Sequence, residues 1–313
     1  MLLSGRVVGA RSRSFTVETN DGSLTCRVLK GLRNQFPDLV DPVAVGDRVR
    51  VRRGNEGDAT IEEVEPRVNK ISRPAVGQED REQLIAANLG RAVIVQAVEP
   101  RWKTATWDRY LVMAAAGGVP PLLALNKIDL DPASAAADEF DVYRRLGIGV
   151  VAVSARTGKG LDELTERLAG GMSVFIGPSG VGKSSLINAL GADLTLRTGE
   201  LSRTTGKGRH TTTWTELLRL DRGIEVVDSP GLRVLGLWGI EPEQLAGTFP
   251  EFASRAAGCR FRQCTHAHEP DCAVRDAVAD GEIAPFRYDS FLRIREALLE
   301  ERERPRGGRA RRR

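Results

Sequence analysis

Over the first 70 residues, apolar and polar positions alternate. The stretches GRVVGA, FTVET, LTCRVL, VAVGDRVRVRR and ATIEEVEP are divided by Asn20-Asp21-Gly22, Gly46-Asp47 and Gly54-Asn55. A period of two broken by turn residues is the pattern of short, half-buried strands. Five such strands in about 65 residues predict a small closed β-barrel, and the OB type is the barrel of that size best known for binding oligonucleotides. A structural or protein-docking barrel fits the same pattern. With only Phe15 and Phe36 present, this stretch has no obvious aromatic stacking row. Cys26 lies inside an alternating segment and is expected to pack as a small hydrophobe.

A linker is expected around Val68 to Val76, and beyond it the pattern changes. Apolar runs without alternation, AVIVQAV (92–98), PPLLALN (120–126), GVVAVSA (149–155), MSVFIG (172–177) and IEVVDSPG (224–231), take turns with helix-like segments such as TWDRYLVMAAA and LDELTERLA. Continuous apolar strands separated by helices predict a parallel sheet covered on both faces. Ligands in that architecture sit beyond the carboxyl ends of the strands. From about Glu241 the strand pattern stops, and FLRIREALLEERE leads into an arginine-rich end. The expected division is therefore 1–70 barrel, 71–240 parallel-sheet domain, 241–301 small helical domain and 302–313 tail.

Composition narrows the class. Hydrophobic residues at 41% and charged residues at 28% exclude a wholly disordered chain. The longest apolar stretch, Tyr110 to Leu125, is broken by Gly117, Gly118, Pro120 and Pro121 and falls short of the roughly 18 residues a membrane span needs. MLLSGRVV has no long apolar run to act as a secretory signal. A cytoplasmic protein without a membrane partner is expected. Residues 302–313 hold seven arginines and one glutamate, a local +6 against +4 for the whole chain, which leaves the other residues at −2. The basicity resides mainly in that end, either as a solvated tail or as a phosphate-contacting one.

The chemistry lies at the ends of the apolar runs. Gly177-Pro178-Ser179-Gly180-Val181-Gly182-Lys183-Ser184, followed by Ser185, comes after the strand-like MSVFI and opens the helix-like SSLINAL. This is a phosphate-binding loop in its confirming context. Its glycines let backbone N–H groups curl around phosphates, Lys183 is placed for the β and γ oxygens, and Ser184 offers a hydroxyl to Mg²⁺.

Asn126-Lys127-Ile128-Asp129 ends another run and addresses the base. A carboxylate at Asp129 can accept the two N–H groups on guanine's edge, with the Asn126 amide at O6 and N7. Adenine would leave Asp129 unpaired, and sites built on such hydrogen bonds discriminate strongly. Lys127 is expected along the ring and ribose, and the Ser154-Ala155 backbone is expected to close over the base. Asp228-Ser-Pro-Gly231 matches a DxxG element, with Asp228 toward Mg²⁺ and the Gly231 N–H toward the γ-phosphate. The polar run Gly208-Arg-His-Thr-Thr-Thr213 reads as a switch segment, with Thr212 favoured for the Mg²⁺ shell; a threonine run opening a strand is also ordinary β-propensity. GTP or GDP with Mg²⁺ is thus the expected cofactor pair.

The order of these segments is unusual: NKID at 126, SA at 154, the phosphate loop at 177, the threonines at 211, DSPG at 228. A Ras-like chain meets its phosphate loop first, so the motifs are circularly permuted. Cys259, Cys264, His266 and Cys272 lie within 14 residues and form a Cys3His set suited to one tetrahedral, structural Zn²⁺. Unliganded thiols are the alternative. His268 is expected to face solvent or RNA.

NKID, SARTGKG, GPSGVGKSSLIN, KGRHTTT, DSPG and the Cys3His cluster, in that order behind a barrel, resemble the RsgA family of ribosome small-subunit-dependent, circularly permuted GTPases. The resemblance covers residues 1 to about 300, and the arginine tail stands outside it. It implies an α/β fold: a circularly permuted P-loop GTPase domain with an N-terminal OB-type barrel and a small C-terminal zinc-binding helical domain. It also implies a GTP hydrolase that binds the 30S subunit and its 16S rRNA late in maturation, is stimulated by the subunit, and is released by hydrolysis. A monomer is expected off the ribosome. The alternative is an RNA-binding assembly chaperone in which nucleotide is mainly structural.

Leu232 occupies the place where a Ras-like chain has its water-orienting glutamine. Leucine cannot orient water. Catalysis is therefore expected from His210, with Lys183 and Asp228 (through Mg²⁺) offsetting charge on the phosphoryl group; His210 contacting only RNA or solvent is the alternative.

Overall fold

The computed structural model describes residues 2–54, 58–133, 138–191, 214–228 and 236–303. His210, Thr212, Gly231, Leu232 and all of the tail beyond Glu303 lie outside the described residues.

The alternating N-terminal segments form β1 (Leu2–Arg11), β2 (Ser14–Thr19), β3 (Gly22–Val28), β4 (Arg48–Arg53) and β5 (Ala59–Val64), with helix α1 (Lys30–Gln35) after β3. Strand β1 pairs with both β2 and β4, β2 with β3, β3 with β5 and β5 with β4, so the ring closes. Closure leaves one inner face, and Val7, Phe15, Val17, Cys26, Val49, Val51 and Ile61 fill it. Phe15 is thus core, and Phe36 packs against the same cluster. Phe15 therefore offers no stacking platform. Cys26 is fully buried, and burial pushes its thiol up to about 11, as a packed cysteine requires.

Where a linker was expected, the chain forms a hairpin, β6 (Lys70–Ala75) and β7 (Gln78–Ala87). Lys70, Arg73 and Pro74 mask the alternation of β6, yet Ile71, Arg73 and Ala75 all point inward. Bridges Leu39↔Glu82 and Val45↔Ala86 fasten the hairpin to the barrel.

The apolar runs form β8 (Arg91–Ala97), β9 (Pro121–Asn126), β10 (Gly149–Ala152), β11 (Met172–Ile176) and β13 (Glu225–Asp228), parallel in the order β10-β9-β8-β11-β13. Helix α2 (Thr104–Ala116) shares a core with Ala92 and Ile94, while α4 (Leu161–Leu168) and α5 (Lys183–Leu190) share another with Val93 and Val95. Alternate residues of β8 therefore face opposite helical layers, as a doubly covered sheet demands. Helix α3 is Asp138–Arg145.

Strand β12 (Trp214–Arg219) runs antiparallel to β13 and pairs on its other edge with β1, at Gly9↔Glu216, Ala10↔Thr215 and Arg11↔Trp214. Parallel sheet and barrel thus form one eleven-stranded sheet.

The last region holds α6 (Pro250–Ala253), α7 (Ala273–Ala279) and α8 (Pro285–Glu303), the last packed back on α2. Its Phe249, Phe252 and Phe291 belong to the same hydrophobic cluster as the α2 face of the sheet. Among the described residues no helix is long and apolar enough to cross a membrane.

Candidate nucleotide-binding site and metal centre

The GPSGVGKS segment joins the end of β11 to α5, and its glycines are there because other residues would not fit. Gly177 has φ +148°, and a Cβ on it would strike the Val95 carbonyl. Gly182 caps α5 in the left-handed region, and a Cβ there would strike the Asn126 amide. Lys183 Nζ donates to the Gly177 and Pro178 carbonyls, each at 2.7 Å. Ser184 and Ser185 lie exposed in the first turn of α5, and Val181 is buried beneath the loop.

Asn126, at the end of β9, is only 1% exposed. Its Nδ2 donates to the Val181 carbonyl at 2.9 Å and its Oδ1 accepts from the Ala155 N–H at 3.2 Å. One amide thereby ties the phosphate loop to the Ser154-Ala155 turn. Lys127, at φ +63°, extends its ammonium across the loop to Gly180 O (2.8 Å) and Glu99 O (2.6 Å). Ile128 is buried in the core on the α2 side, so within NKID it is the packing residue.

Asp129 accepts from Ser154 Oγ at 2.6 Å on Oδ1 and from Arg156 Nε at 2.8 Å on Oδ2. The Ser154 hydrogen bond, helped by Arg156, holds its carboxyl below the usual carboxylate range. Thr157 N donates to Ser154 Oγ, which fixes that hydroxyl's orientation. Arg156 was not singled out in the sequence; its place directly after Ser154-Ala155 is the signal that could have found it.

Asp228 closes β13. Burial raises its carboxyl above the ordinary value, and the Lys183 charge opposes that rise. The four described segments, NKID, SA, the phosphate loop and Asp228, thus meet beyond the carboxyl ends of neighbouring parallel strands.

The second cluster is local. The ligand atoms of Cys259, Cys264, His266 and Cys272 all lie within 4.8 Å of one another. His266 turns Nδ1 toward Cys259 Sγ (3.5 Å) and Cys272 Sγ (3.4 Å), which are themselves 3.9 Å apart. Zn–S and Zn–N bonds of about 2.3 and 2.0 Å fit inside such a set. Burial pushes the Cys264 thiol up to about 12. A thiol so raised carries no charge alone, and a soft cation is what would hold it as a thiolate.

The loop is braced from outside. Glu269 accepts from Thr265 N (2.9 Å) and Oγ1 (2.6 Å) and from the N–H groups of Ala267 and His268. Burial works against its charge, yet the Thr265 bonds and the other loop N–H groups hold the carboxyl well below the usual range. Tyr288 donates to His266 O at 2.9 Å. His268 is exposed.

The sequence profile of the RsgA GTPase family matches residues 64–238. The chain belongs to the RsgA GTPase family. It is 40% identical over 304 residues to the small ribosomal subunit biogenesis GTPase RsgA of Haemophilus influenzae, covering 95% of this chain and 85% of that one. The Mannheimia succiniciproducens protein of the same name is 39% identical over 298 residues, covering 93% and 82%. Among solved structures, YjeQ from Thermotoga maritima superposes with a TM-score of 0.76 at 34% identity, over 96% of this chain and 99% of that one. YloQ, described as a circularly permuted GTPase, superposes with a TM-score of 0.72 at 29% identity, over 98% of each chain. The motif order of this chain agrees with that description. This chain's α/β fold carries an N-terminal barrel and a Cys3His cluster fit for zinc, and membership makes it a GTPase that takes a guanine nucleotide.

Proposed function

We propose that the protein is a GTP hydrolase of small-ribosomal-subunit biogenesis, binding the 30S subunit through 16S rRNA and leaving it when GTP is hydrolysed. The observation that carries the reading is Asn126, which joins the base-side turn to the phosphate loop in a chain whose motifs are out of the Ras-like order.

In this reading the backbone of Gly177–Ser185 cradles the phosphates and Lys183 leaves its loop carbonyls for their oxygens. Asp129 accepts the guanine N–H pair, and the Ser154-Ala155 turn covers the base. Ser184 and Asp228 are the described residues that would hold Mg²⁺, which supplies charge neutralisation on the transferring phosphoryl group. Thr212, Gly231 and His210 complete the assignment from sequence: Mg²⁺ shell, γ-phosphate contact and water activation. Cys259, Cys264, His266 and Cys272 would hold one structural Zn²⁺.

In this reading the barrel (1–70) and the zinc region (241–301) face rRNA, the GTPase part (71–240) lies between them, and 302–313 is an arginine tail. A cytoplasmic location and a monomer off the ribosome fit this role. Turnover of GTP and ATP with and without purified 30S subunits tests the proposal. Stimulated, guanine-selective hydrolysis is expected. Unstimulated turnover would instead favour an RNA-binding assembly chaperone with a structural nucleotide.

A further inference from the structure

We infer that Arg6 of the barrel and Glu225 of β13 are positioning residues for hydrolysis, passing engagement of the barrel to the strand that carries Asp228. The inference rests on the functional reading above.

Strand β13 is four residues long, so Glu225 opens the strand that Asp228 closes. The Arg6 guanidinium meets the Glu225 carboxylate with two nitrogens, Nη1 to Oε2 at 2.7 Å and Nη2 to Oε1 at 2.5 Å. Arg219 lies directly opposite Glu225 in the β12–β13 register and reaches the same carboxylate at 3.5 Å. Its Nη1 also donates to Glu18 Oε1 on β2 at 3.1 Å, and its Nη2 to Glu18 Oε2. Two guanidiniums and two carboxylates, contributed by β1, β2, β12 and β13, thus alternate across the seam.

Beneath them the backbones of β1 and β12 share a ladder at Gly9↔Glu216, Ala10↔Thr215 and Arg11↔Trp214. Barrel and sheet are joined by hydrogen-bonded strands. A forked arginine–carboxylate pair fixes orientation as well as distance. Side-chain exposures of 34% for Arg6 and 22% for Glu225 leave the pair partly shielded from salt. A shift of β1 on docking is therefore transmitted to β13 through rigid elements, the kind of network that carries coupling between sites.

Glu225 stands at the opposite end of β13 from the phosphate loop. Removing its charge accordingly leaves the phosphate loop and the base-side turn in place, and it alters the placement of Asp228 only when docking shifts β1.

The full-length protein tests this with Glu225→Gln and Arg6→Gln, which remove one charge each, and Arg6→Lys, which keeps the barrel charge. GTP affinity, basal turnover, half-saturating 30S concentration and maximal stimulated turnover are measured for each. Glu225→Gln and Arg6→Gln are expected to lose about tenfold in maximal stimulated turnover with the other quantities within about twofold, and Arg6→Lys to recover about half of the wild-type rate. Unchanged stimulated turnover overturns the proposal. So does an equal fall in basal and stimulated rates, or a higher half-saturating concentration at constant maximal rate. A wild-type protein that subunits fail to stimulate overturns the functional reading itself, whereas a stimulated wild type with unaffected variants overturns the positioning role alone.

Discussion

Arg156 donates from Nε to Asp129 Oδ2 at 2.8 Å, on the carboxylate assigned to read the base. Both guanine N–H groups need oxygens of that carboxylate, so an incoming base competes with the guanidinium. Ser154 approaches Oδ1 and leaves a second lone pair there. The Arg156 side chain is 74% exposed and free to swing away. Arg156→Ala is therefore expected to accelerate GTP association and tighten binding by up to about fivefold, since exposed ion pairs are weak. Stopped-flow binding with a fluorescent guanine nucleotide reads this, and weaker binding in the variant would show that Arg156 holds the base.

Asp129→Asn keeps Oδ1 for Ser154 but replaces an acceptor with a donor facing the base. GTP affinity is expected to fall at least about a hundredfold, because sites built on such hydrogen bonds reject mismatched partners. Calorimetric titration with GTP checks it. Retained nanomolar-to-micromolar binding equal to wild type would remove Asp129 from base recognition.

Arg287 is 2% exposed and donates to Asp108 Oδ1 at 2.5 Å and to Glu251 at 2.7 and 3.2 Å, with its guanidinium 4.5 Å from the Phe249 ring centroid. It joins α8 to α2 and α6 at once. Arg287→Ala leaves two carboxylates without their cation and is expected to cost about 3–5 kcal/mol of stability. Urea denaturation measures it; a loss under about 1 kcal/mol would mean that packing alone holds α8 to α2.

Metal analysis is expected to find one zinc per chain. Its removal by a chelator should lower the melting temperature, because metal binding to such a site is coupled to folding. Cys272→Ala should release the ion and abolish the chelator's effect. A chain that melts at the same temperature with and without chelator would return the cluster to unliganded thiols.

Hydrogen bonds from Arg6 hold the Glu225 carboxyl below its ordinary value of 4.5. A depressed folded value means that the unfolded state binds the proton first. The pair's stabilisation is therefore complete above about pH 4.5 and is lost as pH falls through the lower folded value. The stability difference between wild type and Glu225→Gln should accordingly be constant from pH 7 to about pH 5 and shrink below it. Thermal unfolding across that range measures the difference, and a gap that widens on acidification would contradict the assignment.

What was legible in advance was whatever is written contiguously. The phosphate loop, NKID, the Ser154-Ala155 turn and the Cys3His spacing each require a particular backbone path over a few residues, and Gly177 or Gly182 records that path in its own identity. Barrel strands were legible because a closed ring has one inside, which imposes period two.

The β6–β7 hairpin was hidden because β6 buries an arginine among its inward positions, which period-two reading scores as polar. The β1–β12 seam was hidden for another reason: it joins residues about two hundred positions apart through backbone groups, which every sequence possesses equally. Nothing in the sequence sets Arg287 apart from the other arginines of α8. Its burial depends on Asp108 and Glu251 arriving from α2 and α6.

From the sequence alone came the chemistry and its permuted order. Tertiary structure decided which charges face one another, because the sign and spacing of distant side chains become energies only when the chain brings them within a few ångströms.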